Sequence, residues 1–160
     1  MNNYFVIIIL GGKKAMERIK SNKYALILFI ATIVMLVLGV INIIVTIAGM
    51  ETAVEVARTE AVKAGGTQQE VDLAIAMTRV ALYAAIVISA ILLVFEVLCG
   101  LKCSMHGKWR IGAIVFGILL CVDYVWAITR GGWMNWVSAL VAGFYLVGAI
   151  MCKPDAPKAE

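Results

Sequence analysis

METAVEVARTEAVKAGGTQQEVDLAIAMTRV, residues 50–80, is the one long stretch of the chain that is rich in both charge and small side chains. Its apolar positions Met50, Ala53, Val54, Ala57, Ala61 and Ala64 recur at helical steps, the spacing of a single helix face. Gly65 and Gly66 stop that helix. Thr67, followed three residues later by Glu70, has the form of a capping box, in which hydroxyl and carboxylate satisfy amides otherwise orphaned at a helix start. A second helix therefore begins at Thr67. At about 1.5 Å per residue, arms 51–64 and 67–79 each rise roughly 20 Å, so they can pair along their whole length. The stretch predicts a helical hairpin.

Outward from the hairpin the chain becomes apolar. It has 160 residues, 63% of them hydrophobic, with mean hydropathy +0.98; a soluble domain is usually about half apolar. Four uncharged or nearly uncharged runs, 24–50, 80–101, 111–129 and 136–152, each approach the ~20 residues a helix needs to cross about 30 Å of hydrocarbon. Proline occurs only at Pro154 and Pro157, so no run is kinked by proline. No stretch remains for a separate soluble domain. The expected fold is all-α: an integral membrane four-helix (tetraspan) bundle occupying residues 24–152, with spans one and two extended into an extracytoplasmic hairpin over 51–79.

The basic residues set the expected orientation. Lys13, Lys14, Arg18, Lys20 and Lys23 precede span one, Lys102, Lys108 and Arg110 join spans two and three, and Lys153 and Lys158 follow span four. The opposite side holds Arg58, Lys63, Arg79 and Arg130, interspersed with Glu51, Glu55, Glu60, Glu70 and Asp72. The positive-inside rule then places both termini in the cytoplasm, the chain in the cell membrane and the hairpin outside. Topology accounts for the formal charge of +4. No basic stripe with interleaved aromatics is present, which argues against a nucleic-acid partner.

Residues 1–23 form a cytoplasmic or interfacial segment, and two readings of residues 1–15 stay open. GlyGlyLysLysAla before Met16 is what a purine-rich bacterial ribosome-binding site gives when translated in frame, which would make Met16 the true start and the source bacterial. Alternatively, residues 4–10 are an apolar anchor lying in the membrane interface. Residues 153–160 read as a polar, disordered tail.

Within the spans three polar side chains stand out. Asn42 in span one is expected to hydrogen-bond between helices. Glu96, about four residues from the inner edge of span two, can reach Lys102 or Arg110. Asp123 in span three is costly at that depth, by roughly 2 to 3 kcal/mol, and is expected to face the bundle interior. Cys99, Cys103, His106 and Cys152 gather near one plane, and C-x3-C-x2-H contains zinc-ligand residue types. Buried cysteine is more often plain packing, and a cytoplasmic location argues against a structural disulfide. Ala81, Ala84, Ala85, Ser89 and Ala90 give span two a small-residue face for close helix contact; Ala139, Gly143 and Gly148 do the same for span four. Trp133 and Trp136, with Tyr83, Tyr124 and Trp126, suit an aromatic belt at the outer interface.

With one histidine and no nucleophile elbow, phosphate loop or HExxH, the sequence gives no ground for an enzyme, cofactor or metal. The reading that follows is a small non-enzymatic multi-pass protein that meets other membrane proteins, or further copies of itself, through the hairpin and small-residue faces. A small transporter or channel subunit using Asp123 and Glu96 is the alternative, weakened by the lack of broken helices or an inverted repeat.

Overall fold

The computed structural model describes residues 12–129 and 133–152, with the side chains of residues 133–135 left aside. The expected anchor at residues 4–10, the turn around Arg130, the side chain of Trp133 and the tail 153–160 lie outside those described. Among the described residues five helices follow in order: α1 Gly12–Ser21, α2 Lys23–Lys63, α3 Gln68–His106, α4 Arg110–Ile128 and α5 Trp133–Met151. The described residues are all-helical in their regular structure, and α2, α3 and α4 are long and apolar enough to cross a membrane. Trp136–Met151 is a shorter apolar stretch.

Local chemistry marks most helix ends. Asn22 caps α2, its side-chain oxygen accepting the amides of Tyr24 and Ala25 at 3.0 and 3.3 Å, which satisfies two donors of the first turn. With no proline until Pro154, α2 then runs for 41 residues, about 60 Å. The connector expected between spans two and three, residues 102–110, is shorter: α3 continues to His106, and Gly107 and Trp109, both at positive φ, make the turn into α4. The charged side chain of Lys102 is compatible with helix, so nothing before Gly107 ends it.

By its contacts the chain divides into two units, one comprising residues 39–93 and the other the remainder. The first is the hairpin with the adjoining turns of α2 and α3. Gly65 has φ +77; its amide bonds to Val62 O at 3.0 Å, and that of Gly66 to Ala61 O at 3.1 Å. This paired closure around a left-handed glycine is a Schellman motif. The Glu70 carboxylate accepts the Thr67 amide at 2.7 Å and the Thr67 hydroxyl at 3.0 Å. Thr67 thus spends its hydroxyl on the carboxylate, while Glu70 satisfies the N-cap amide. Arm packing is sparse: among residues 51–79, Val54 and Val71 are the buried hydrophobics. Gly39 lies close to Leu93, where a Cβ would fall 2.8 Å from Leu93 Cδ2.

Unit two gathers α1, the start of α2, the end of α3, and α4 with α5. Its core is Ala25, Leu28, Ala31, Cys99, Cys103, Ala113, Tyr145, Ala149 and Cys152, with Ile114, Phe116 and Val141 against it. Where lipid is as apolar as leucine, close backbone approach rather than hydrophobic burial drives helix association. Glycines provide that approach here. A Cβ on Gly148 would lie 3.0 Å from Leu28 Cα, one on Gly117 3.1 Å from Leu146 Cα, and one on Gly100 2.8 Å from the Tyr145 ring. A second cluster, Ala15, Ile19 and Met105 with Phe29 and Leu101, seats α1.

Candidate functional site

The sequence candidates fall into different environments. Cys99, Cys103 and Cys152 are buried in one cluster of unit two, whereas His106 is exposed. Among the described residues no group of three or more His, Cys, Asp or Glu is placed to hold a metal ion. All four cysteines are free thiols.

Arg18, read from sequence only as a topology marker, belongs to this cluster. It sits on the α1 face that also carries Ala15 and Ile19, and all three are buried. Its guanidinium donates to Cys152 Sγ at 3.7 Å, and the Cys152 thiol donates to the Cys103 carbonyl at 3.6 Å. The spacing of Ala15, Arg18 and Ile19, three and four residues apart, is the signal that places an arginine on an inward helix face. Arg110 donates to the carbonyls of Ala149, at 3.3 Å, and Ile150, where a cation satisfies the last acceptors of α5.

That use of Arg110 corrects the expected partner of Glu96. Glu96 is buried, and its Oε1 has no hydrogen-bond partner among the described residues. Tyr145 donates its hydroxyl to the backbone oxygen of Glu96 at 3.0 Å, joining α5 to α3. Lys102, the other expected partner, is exposed.

Asp123 differs more sharply from expectation. Rather than facing the interior it is exposed, in a shallow depression of α4 lined by Leu119, Val122, Val125, Trp126 and Thr129. Asp123 apart, span three is apolar on every face, so its pattern does not tell inside from outside. Its neighbour Tyr124 is partly buried. Asn42 is also exposed; its backbone carbonyl accepts the Thr46 hydroxyl at 2.8 Å. The small-residue face of span two is open as well: Ala81, Ala84, Ala85 and Ser89 are exposed, correcting the expectation of a close helix contact there within the chain.

Compared with known proteins, the chain matches no family model, no curated protein and no solved structure.

Proposed function

We propose that this is a small non-enzymatic tetraspan protein of the cell membrane, with α5 as its fourth span and both termini cytoplasmic. Its outer hairpin and small-residue faces recognise other membrane proteins or further copies of the chain. The observation that carries this reading is the hairpin's lack of a core of its own. Two arms of about 20 Å that bury Val54 and Val71 and leave Val56, Val62, Leu73 and Met77 exposed gain little from each other, and helices gain most of their stability from tertiary packing. The exposed Ala81, Ala84, Ala85 and Ser89 favour the same reading, because small side chains let another helix approach closely.

Excision tests it. Replacing residues 51–78 by a short flexible linker should leave the spans inserted and abolish co-purification of partners and self-association. Unchanged crosslinked and co-purified species would make the hairpin a passive connector.

A second reading rests on Glu96, whose buried Oε1 has no hydrogen-bond partner among the described residues and is the kind of intramembrane polar group that marks ion pathways. As a transporter or channel subunit using Glu96 and Asp123, the protein would support solute or ion flux in proteoliposomes. Loss of that flux in Glu96→Gln or Asp123→Asn would favour this reading over the first.

A further inference from the structure

Two thiols meet where α1, α3 and α5 converge. Cys103 lies in the last turns of α3, and Cys152 directly follows α5. Both are fully buried and belong to one core cluster. The Cys152 thiol also contacts the Cys103 carbonyl, and the buried Arg18 guanidinium donates to Cys152 Sγ. A sulfur held by a guanidinium is stabilised as it takes on negative charge, and the thiolate is the nucleophilic form of cysteine. A second thiol in contact is what converts a reversible oxidation product into a disulfide. Complete burial favours a small, neutral oxidant over a bulky disulfide.

We propose that Cys152 and Cys103 form a reversible peroxide-oxidised dithiol, with Cys152 attacking and Cys103 resolving. The Cys152 sulfur attacks one oxygen of hydrogen peroxide, the O–O bond breaks, and hydroxide leaves to combine with the thiol proton as water. Cys152 is then a sulfenic acid. The Cys103 sulfur attacks it, the S–O bond breaks, and the hydroxyl departs with the Cys103 proton as a second water. Two thiols lose two electrons in all, and one peroxide becomes two waters. The disulfide ties the end of α3 to the end of α5, and two equivalents of a thiol reductant restore the pair. This step does not depend on partner recognition by the hairpin.

The test uses the full chain, reduced and held in phosphatidylcholine nanodiscs, then treated with hydrogen peroxide, unfolded, alkylated and mapped by mass spectrometry. The expected product is a Cys103–Cys152 linked peptide, with Cys99 and Cys121 still alkylated and dithiothreitol restoring both thiols. Cys103→Ser should stop at a sulfenic acid on Cys152, captured by dimedone. Arg18→Gln should slow disulfide formation roughly tenfold, since the rate follows the thiolate share. Cys103 and Cys152 staying reduced while Cys99 or Cys121 oxidises, or a linkage between other cysteines, would overturn the proposal. The wild-type map decides this even if a variant fails to fold.

Discussion

Arg79 of α3 lies 3.8 Å from Glu51 of α2, an ion pair between the two arms of the hairpin. It marks the antiparallel register that the Gly65 turn sets from the other end. Both side chains are more than half exposed, so the pair contributes at most about 1 kcal/mol and is weakened by salt. Glu51→Ala is expected to leave thermal stability in micelles unchanged within about 0.5 kcal/mol. A large loss would mean that the arms depend on this pair more than exposed ion pairs allow.

The turn matters more than the ion pair. Gly65 holds φ +77, a conformation that costs a residue with a Cβ roughly 1–2 kcal/mol. Gly65→Val should speed amide exchange across residues 61–71 while leaving α4 and α5 unaffected. Equal exchange in both proteins would show that the turn tolerates a left-handed valine.

Acid should loosen the start of α3. The Thr67 amide, and secondarily the Thr67 hydroxyl, hold the Glu70 carboxyl below its ordinary value of 4.5. A lowered folded value means that the cap's contribution is complete above that ordinary value and is lost as pH falls through the lower one. Amide exchange over residues 67–71, corrected for its intrinsic pH dependence, should therefore lose protection as pH drops below the ordinary carboxylate range. Glu70→Gln should remove that pH dependence.

Two glycines of α5 should respond oppositely to the same change. A Cβ at Gly148 would press on Leu28 Cα and N at 3.0 Å, whereas Gly143 has open space around it. Gly148→Ala should lower the melting temperature in micelles, by an overpacking cost of about 1–3 kcal/mol. Gly143→Ala should not lower it. The reverse order would contradict the packing of α5 on α2.

Asp123→Leu should improve insertion of span three tested alone, since aspartate near a helix centre costs about 2.5–3.5 kcal/mol by insertion scales. It should leave the melting temperature of the whole chain nearly unchanged, because Asp123 is exposed. A large drop in stability would restore an interior role for the carboxylate.

The helical class and the hairpin turn were legible in the sequence because their causes are local: length and apolarity of the runs, two glycines, and Thr67 three residues before Glu70. Other features depend on tertiary contacts that local pattern does not carry. The direction faced by Asp123 is set by how α4 rotates against α5, and α4 is apolar all round. Arg110 could have met Glu96 or the end of α5, and only the packing of α4 on α5 decides. Arg18 stands among the lysines that mark topology, yet its face is shared with Ala15 and Ile19, which turns it inward toward Cys152.

Recognition through the hairpin is open to direct test by site-specific photocrosslinking in native membranes. A photoreactive residue placed at Val62 or Leu73, each 59% exposed on the arms, is compared with one at Val115, 48% exposed on α4. A hairpin that recognises partners should give discrete protein adducts from positions 62 and 73 and lipid adducts alone from position 115. Protein adducts confined to position 115, with none from either arm, would contradict it.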